Sequence, residues 1–395
     1  MTLRTLDRLT DVGGLRAFVR VDFNVPLADG VVQDDSRIRA ALPTVRELLE
    51  RGARLVLASH LGRPKGVAKE ELRLGPVGRR LAELLGRDVL DLDEPAPDPS
   101  RLPADADVIL LENLRFDPGE EGNDPSFAGR LAELADVYVD DAFGAVHRAH
   151  ASVSALPELM RASGREAVAG RLLEREVSVL SRLLGDPDRP YVAVLGGAKV
   201  SDKLGTIGAL VERVDTLLVG GAMAFTLIAA AGGQVGASLV EPDRFDDVRS
   251  ALSRADERGI RVIVPSDVVA AAEIDETAET SVVAADRIPA GLRGLDIGPD
   301  TVRAFAGAIA DAGTVLWNGP MGVFEAAPFA AGTLAVAEAI AASDAYSVAG
   351  GGDSLLAIKR VGLEDGFDHL STGGGASLEF LEGRTLPGIA VLEDR

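Results

Sequence analysis

Two lysines four residues apart are the first candidates for chemistry in this chain. Lys199 and Lys203 lie in Leu195-Gly-Gly-Ala-Lys-Val-Ser-Asp-Lys203, and the whole sequence has only five lysines. The apolar run Tyr191–Leu195 predicts a buried strand, and the residues after the two glycines predict a helix that begins near Ala198. At that helix start the two ammonium groups would lie about one turn, ~6 Å, apart beside unpaired backbone N–H groups. This arrangement would bind a polyphosphate, whereas the alternative is a pair of solvated surface lysines.

Composition limits the classes of partner. A length of 395 residues predicts two domains, and a net charge of −21 argues against nucleic acids and anionic membranes as partners. The sequence contains no cysteine, which excludes disulfides, thiol nucleophiles and cysteine-based zinc sites. Because the N-terminal residues contain no apolar secretory core, we expect a soluble, cytoplasmic protein.

Short apolar runs alternate with stretches of helical periodicity, which is typical of parallel sheets covered by helices. The predicted strands are Ala17–Val25, Arg54–Ala58, Val108–Leu111, Val137–Val139, Tyr191–Leu195, Thr216–Val219, Arg261–Val264, Thr314–Trp317 and Tyr346–Val348. The predicted helices include Ile38–Arg51, Pro76–Leu85, Phe127–Leu134 and Phe245–Arg258. We therefore predict an α/β protein with two Rossmann-like lobes, each a parallel β-sheet flanked by helices.

A charged helical stretch supplies the predicted domain boundary. Residues 1–166, joined by the tail 376–395, form the predicted N-terminal lobe, and residues 185–375 form the predicted C-terminal lobe. Residues 167–184 are predicted to be a hinge helix between them. The three glycines at 373–375 are a second candidate hinge, because glycine tolerates large backbone rotations.

Polar side chains follow the predicted strands of the first half. Parallel α/β sheets bind ligands outside the carboxyl ends of their strands. The residues predicted at this rim are Asp22, Asn24, Arg37, His60, Arg63, Arg115, Arg148 and His150. Several arginine forks at one rim suit phosphate or carboxylate. The alternative is that each arginine pairs with a neighbouring acid such as Asp22 or Asp141.

The strand ends of the second half are rich in glycine. They read Gly196-Gly197, Gly220-Gly221, Asn318-Gly-Pro320 and Gly350-Gly-Gly352, and the last is followed by Asp353. Glycines allow a backbone to approach a flat or charged ligand closely. Asp353 is a candidate either for a helix cap or for a Mg²⁺ ligand beside a phosphate.

Common catalytic motifs are absent from the sequence. It contains no P-loop motif, no G-x-G-x-x-G, no G-x-S-x-G and no H-E-x-x-H. Phosphoryl transfer depends on positioning and charge neutralisation more than on a protein nucleophile, and the candidate residues suit it. A dehydrogenase of similar architecture and a nucleotide-binding regulator without catalysis are the alternatives.

Seven motifs between Arg20 and Glu379 carry a family resemblance that runs in order from about residue 3 to residue 390. They are Arg20-Val-Asp-Phe-Asn-Val-Pro26, Ser59-His-Leu-Gly-Arg-Pro64, Asp141-Ala-Phe-Gly-Ala-Val-His-Arg-Ala-His150, Gly196-Gly-Ala-Lys-Val-Ser-Asp-Lys203, Trp317-Asn-Gly-Pro-Met-Gly-Val-Phe-Glu325, Gly350-Gly-Gly-Asp353 and Ser371-Thr-Gly-Gly-Gly-Ala-Ser-Leu-Glu379. Together they resemble phosphoglycerate kinase. Three other positions depart from the family pattern, namely Asp140, Ala229 and Ser266, and none of them is a predicted site residue.

The resemblance implies a monomeric kinase that transfers a phosphoryl group between 1,3-bisphosphoglycerate and ADP with Mg²⁺, giving 3-phosphoglycerate and ATP after hinge closure. The residues implied to bind phosphoglycerate are Asp22, Asn24, Arg37, His60, Arg63, Arg115 and Arg148. Those implied to bind the nucleotide are Gly197, Ala198, Lys203, Gly221, Gly294, Asn318, Pro320, Glu325, Gly351, Gly352, Asp353 and Ser354. The catalytic groups implied are Arg37, Lys199, Lys203, Gly352 and Gly374, with Asp353 as the metal ligand.

Overall fold

The structure, a computed structural model, describes residues 2–394 and divides into two compact units. The first unit comprises the described residues up to Ser178 and those from Thr385 onward, and the second runs from Val179 to Arg384. The predicted bounds of the two lobes stay a prediction, and so does the predicted hinge at residues 167–184. Within residues 2–394, no helix combines the length and apolar character that crossing a bilayer requires.

The first unit is built around one parallel sheet. Its strands are β1 Arg16–Arg20, β2 Leu27–Ala28, β3 Val31–Val32, β4 Arg54–Ala58, β5 Leu90–Asp91, β6 Val108–Leu110, β7 Val137–Asp140 and β8 Ala167–Ala169. Its helices are α1 Ser36–Glu50, α2 Gly75–Leu85, α3 Pro118–Glu121, α4 Pro125–Ala132, α5 Ala155–Ala162 and the start of α6 Arg171–Leu184. The sheet order is β5-β6-β4-β1-β7-β8 with every pair parallel, while β2 and β3 form a separate hairpin.

The second unit contains a larger set of elements around a second parallel sheet. Its strands are β9 Tyr191–Leu195, β10 Thr216–Val219, β11 Gln234–Val235, β12 Arg261–Ile263, β13 Asp267–Ala271, β14 Ser281–Ala284, β15 Arg287–Ile288, β16 Arg293–Ile297, β17 Thr314–Asn318, β18 Tyr346–Gly350 and β19 His369–Ser371. Its helices are α7 Leu204–Leu210, α8 Met223–Ala230, α9 Phe245–Glu257, α10 Pro299–Ala310, α11 Ala331–Ala341, α12 Gly352–Arg360 and α13 Gly375–Leu381, while α14 Pro387–Ala390 returns to the first unit.

The order of this second sheet determines where a ligand can bind. The order is β12-β10-β9-β17-β18-β19, all parallel, so in chain order of the sheet strands it reads 3-2-1-4-5-6. That is the order of doubly wound nucleotide-binding folds, in which a crevice opens where the direction of strand addition reverses. Here the reversal lies between β9 and β17, which are both fully buried along their length. The predicted fold class is therefore confirmed.

Three segments differ from the prediction. The first strand ends at Arg20 rather than Val25, because Ser59 Oγ accepts from the Phe23 N–H and the Asp22 carboxylate accepts from the Asn24 N–H. The predicted helix 167–184 begins only at Arg171, because residues 167–169 pair with β7 as strand β8. The antiparallel sheet β14-β13-β16 was not expected.

Candidate active site

The predicted phosphoglycerate residues all lie in the first unit and follow the carboxyl ends of neighbouring strands. Asp22 and Asn24 follow β1, His60 and Arg63 follow β4, Arg115 follows β6 and Arg148 follows β7, while Arg37 lies in the first turn of α1. Hydrogen bonds join the loops, since Gly62 donates its N–H to Asn24 Oδ1 at 2.9 Å. The carbonyl of Gly62 accepts from Arg115 Nη1 at 2.7 Å. The loops after β1, β4 and β6 are thus joined in one rim, and Arg148 follows the neighbouring strand β7.

The arginines of this rim differ in how far they are neutralised. Arg37 pairs with the buried carboxylate of Asp22, as the alternative interpretation expected for it. Arg115 is buried, and its Nε lies 3.5 Å from Glu121 Oε1. Arg63 and Arg148 are exposed, and within residues 2–394 neither forms an ion pair with a carboxylate. Positive charge therefore remains available at the rim.

Burial and the neighbouring positive charges together lower the pKa values of three groups at the rim. Burial and the neighbouring charge of Arg20 lower the pKa of Arg115 to about 10. Burial, followed by the charges of Arg115 and Arg20, lowers the pKa of His150 to about 3. Burial and the charge of Arg20 also lower the pKa of His60 well below its usual value. A bound anion would relieve this repulsion, so the rim is a candidate anion site.

Sequence reasoning did not single out Arg20. Its side chain has no solvent exposure, and it is the last residue of the apolar strand β1, where core residues are the rule. A charge in such a run was the available signal, because a buried arginine requires partners. His150, which the sequence placed at the rim, lies buried with its Nδ1 3.9 Å from Glu120 Oε1.

A cleft of about 510 Å³ lies in the second unit, at the reversal between β9 and β17. The predicted nucleotide residues that line it are Gly197, Ala198, Gly221, Gly294, Pro320, Glu325 and Asp353. Apolar side chains complete the wall, among them Phe225 and Leu239. A wall that combines apolar groups with glycine backbone suits a flat aromatic base joined to a polar chain.

Close backbone approach explains one of the glycines. The N–H of Gly197 and its carbonyl would lie 2.5 Å and 2.6 Å from a Cβ added to Gly221, whose φ is +66°. No L-amino acid fits both that space and that backbone conformation without strain, whereas glycine does. The loops after β9 and β10 are thereby held together at the cleft.

Lys203 lies under the cleft rather than on its surface. Its Nζ donates to the carbonyl oxygen of Asn318 at 3.0 Å and also to Asn318 Oδ1. Only 8% of the residue is exposed. Burial lowers the pKa of Lys203 to about 8, and the carboxylates of Asp353 and Asp202 offset only part of this effect. Asn318 thus fixes the position of the ammonium group, whose charge is only partly neutralised.

The predicted stacking of Lys199 and Lys203 on a helix is wrong. Helix α7 begins at Leu204, with Lys203 as its N-cap residue, and Lys199 is an exposed loop residue. The loop does not become helical because Glu241 holds it, accepting from the Ser201 N–H at 3.0 Å and from Ser201 Oγ at 2.7 Å. Lys203 also donates its N–H to the Val200 carbonyl, which closes a turn.

The pH dependence of nucleotide affinity tests the state of Lys203. A polyphosphate requires the ammonium form, and the free protein loses that proton as the pH rises through about 8. We expect the affinity for ADP to fall between about pH 7 and about pH 9.5 in titration calorimetry. The Lys203→Arg variant keeps its charge over this range, so its affinity should stay nearly constant. Parallel profiles for the two proteins would contradict the prediction that the ammonium group of Lys203 binds the nucleotide.

Helix α12 carries four predicted residues at its start, and of these Asp353 lines the cleft. Gly351 is its N-cap residue with φ +90°, and Gly352 and Asp353 are exposed in its first turn. Ser354 Oγ accepts from the Gly319 N–H at 2.7 Å, which ties the helix to the loop after β17. Gly374 lies elsewhere, as the N-cap residue of α13, and it does not line the cleft.

The carboxylates at the cleft suit a metal ion that enters the site already bound to a phosphate-bearing ligand. Among residues 2–394, no group of three or more histidine, aspartate and glutamate side chains could hold a metal ion. Asp353 is instead an exposed carboxylate at the cleft, as is Glu325. Mg²⁺ in nucleotide enzymes commonly takes one or two carboxylates, with phosphate oxygens and water completing its shell. The residues present therefore fit a nucleotide-borne Mg²⁺.

An α/β phosphotransferase requires an anion site and a nucleotide cleft, and the two units offer a candidate for each. A phosphoglycerate kinase family model matches residues 6–384. The chain belongs to the phosphoglycerate kinase family. This membership confirms the predicted family and the predicted enzyme class, a kinase among the transferases, and it contradicts the dehydrogenase alternative.

Individual relatives resemble the chain over its whole length. Phosphoglycerate kinases from two strains of Thermus thermophilus are each 55% identical over 396 residues, covering 99% of this chain and 100% of the relatives. The solved phosphoglycerate kinase of Coxiella burnetii matches with a TM-score of 0.88 at 39% identity, covering 99% of both chains. That of Pyrococcus horikoshii OT3 matches with a TM-score of 0.85 at 31% identity, covering 99% of this chain and 98% of the other.

Proposed function

We propose that this chain catalyses the reversible transfer of a phosphoryl group from 1,3-bisphosphoglycerate to ADP, giving 3-phosphoglycerate and ATP. The observation that carries the proposal is the arginine-rich rim of the first unit, where exposed Arg63 and Arg148 form no carboxylate pairs within residues 2–394. A small molecule that carries both phosphate and carboxylate matches several guanidinium forks. The glycine-lined cleft supplies the second ligand site.

The phosphoglycerate would be bound by the rim. In this proposal Arg63, Arg115 and Arg148 bind its phosphate and carboxylate oxygens, and His60 donates a further hydrogen bond. Asp22 orients Arg37 through their ion pair, and Asn24 holds the Gly62 loop through its accepted hydrogen bond. Arg37 is the one of these residues that we assign to the transferring group.

The nucleotide would occupy the cleft of the second unit. We assign the base to the wall of Gly221, Gly294 and Pro320, and the ribose to Glu325. Asp353 would hold Mg²⁺, which when bound supplies charge neutralisation to the phosphate oxygens. The backbone N–H groups of Gly351, Gly352 and Ser354 would bind phosphate together with Gly197, Ala198 and the ammonium group of Lys203, which Asn318 positions.

The transfer itself requires no general base. In the direction of ADP phosphorylation, a β-phosphate oxygen of ADP attacks the acyl phosphorus and forms the new O–P bond. The bond from phosphorus to the acyl oxygen breaks, and its electron pair leaves with the carboxylate of 3-phosphoglycerate. Both oxygens are ionised at neutral pH, so no proton moves. Arg37, Lys199, Lys203 and the N–H groups of Gly352 and Gly374 would stabilise the charge on the transferring oxygens.

The two sets of residues belong to separate units, so the ligands must be brought together for direct in-line transfer. We infer that residues 167–184 and the glycines at 373–375 act as hinges, and that closure excludes water. Small-angle scattering should show compaction when both ligands are bound. An unchanged radius of gyration with both sites filled would contradict the hinge.

Separate binding measurements test the assignment of the two sites. The Arg63→Ala variant should weaken 3-phosphoglycerate binding about 10- to 100-fold and leave ADP binding unchanged, because it removes charged hydrogen bonds from one site only. The Asp353→Asn variant should weaken Mg·ADP binding and leave 3-phosphoglycerate binding unchanged. Titration calorimetry measures both. The opposite pattern, or equal losses for both ligands, would contradict the assignment.

We also infer that the protein acts as a monomer in the cytoplasm. The acidic composition, with a net charge of −21 and no cysteine, supports this inference. Light scattering at assay concentrations tests the oligomeric state, and fractionation of cells tests the compartment.

A further inference from the structure

Arg20 lies beneath the rim, and each of its three guanidinium nitrogens has a hydrogen-bond partner. The side chain has no solvent exposure. Its Nε donates to Ser152 Oγ at 2.8 Å, and Nη1 donates to the carbonyl of Val21 at 2.5 Å. Its Nη2 lies 3.2 Å from Nδ1 of His60. Arg20 therefore links the strand β1 to the loop that carries His60.

The chemistry of the guanidinium group determines the direction of these hydrogen bonds. Arginine has only donors, so Nδ1 of His60 must accept and cannot carry a proton. The proton of a neutral imidazole then resides on Nε2. The contact with Arg20 thus selects one tautomer of His60 and excludes both the other tautomer and the imidazolium form.

The position of Arg20 is held by a buried acid through Ser152. Because Ser152 Oγ accepts from Arg20, its own proton is free to donate, and Glu120 Oε1 accepts it at 2.6 Å. The Ser152 N–H donates to Glu120 Oε2 at 2.9 Å. Glu120 is itself fully buried, and its Oε1 lies 3.9 Å from Arg20 Nη2. The sequence of contacts from Glu120 through Ser152 and Arg20 ends at His60.

The surroundings of His60 also oppose an imidazolium. Burial lowers the pKa of His60 most, and the charges of Arg20, Arg115 and Arg37, with that of His150 when it is protonated, lower it further. The guanidinium groups all disfavour a second positive charge, and burial of the ring acts in the same direction. Geometry and charge therefore agree on a neutral ring with an Nε2–H.

We propose that Arg20 is a positioning residue, which fixes His60 as an Nε2–H donor for the anionic substrate. This inference rests on the proposed function, in which His60 contacts phosphoglycerate. An imidazole with a lone pair on Nε2 would repel an anionic oxygen, whereas an Nε2–H attracts it. Arg20 acts through His60 because its own side chain is fully buried.

Nitrogen NMR on histidine-labelled wild-type protein tests the tautomer directly. The chain has only four histidines, namely His60, His147, His150 and His369, so the spectrum is simple. The His60→Gln variant identifies the signals of His60 by their loss. We expect a neutral ring protonated on Nε2 at neutral pH and below the ordinary pKa of a histidine side chain. A ring protonated on Nδ1, or an imidazolium near neutral pH, would overturn the proposal.

Substitution of Arg20 tests its action through His60. The Arg20→Met variant should give a mixture of tautomers and weaken 3-phosphoglycerate binding about 10- to 100-fold. The Arg20→Lys variant should restore the Nε2–H tautomer, because an ammonium group also only donates. The matched control is Arg16→Met on the same strand, whose guanidinium contacts the Leu102 carbonyl and which should bind as wild type does. If Arg20→Met does not fold, the wild-type and Arg20→Lys spectra still decide which tautomer of His60 is present.

A double-mutant cycle separates positioning from direct binding. In the His60→Gln background, the Arg20→Met substitution should weaken 3-phosphoglycerate binding by less than about 3-fold further. An equal loss in both backgrounds would overturn the proposal. If wild-type protein does not bind 3-phosphoglycerate at all, the proposed function fails, whereas the spectrum still decides the tautomer.

Discussion

The Arg37→Ala variant should lose about 10²- to 10³-fold in kcat while it remains folded. Arg37 is the arginine of the rim that we assign to the transferring phosphoryl group, where negative charge is redistributed in the transition state. A positioned charge at such a site contributes about as much as an oxyanion donor. Its side chain is one-third exposed, so it can reach a ligand beside Asp22. A steady-state coupled assay measures the loss.

The neighbouring arginine of the same helix provides the control. Arg39 pairs with Asp35, and 54% of its side chain is exposed. The Arg39→Ala variant should keep wild-type turnover, and thermal unfolding should show that both variants stay folded at the assay temperature. A kcat for Arg37→Ala within about 3-fold of wild type would exclude a transition-state role. Equal loss of Tm in both variants would indicate that these arginines are structural.

The second large effect is expected for Lys199→Ala, with a kcat loss that again approaches about 10²- to 10³-fold. Lys199 is exposed on the loop that Glu241 holds, so its removal disturbs no core packing. A compact ammonium on a flexible stem can follow the transferring group, whereas the planar fork of arginine requires a fixed geometry. Lys199→Arg should therefore restore only part of the rate. Stopped-flow single turnovers measure the chemical step separately from product release.

Lys359 is the matched control for this experiment. It lies in the last turn of α12 in the same unit, at the opposite end of that helix from Asp353, and it is exposed. Lys359→Ala removes the same charge from the protein and should leave the rate unchanged. Equal losses in the two variants would mean that net charge, rather than the position of Lys199, controls the rate.

Much of the fold could be predicted because its strands are short, apolar and bounded by polar residues. Strands β4, β9 and β10 have the predicted bounds, since each is an apolar run that the parallel sheet buries. The antiparallel sheet escaped prediction because apolar runs do not show the direction in which strands pair. Strands β13 and β16 are short and largely buried, as strands of a parallel sheet are, whereas β14 is largely exposed.

The candidate site could be predicted where residues directly follow strands, as His60 does after β4 and Gly197 after β9. Contacts between distant segments could not, because they exist only after folding. Glu241 lies 40 residues from Ser201, and it decides that the lysine loop is not helical. Glu120 lies 32 residues from Ser152, and no local pattern shows that the pair supports Arg20. Arg20 itself is concealed within an apolar run.

One coupled assay tests the central claim most directly. Folded wild-type protein is supplied with 3-phosphoglycerate and Mg·ATP, and formation of 1,3-bisphosphoglycerate is followed with a reporter enzyme. We predict robust turnover that requires 3-phosphoglycerate, ATP and Mg²⁺ together and stops when any of the three is omitted. No turnover from folded protein that still binds ATP would contradict the account, and the chain would then be a nucleotide-binding protein without this reaction.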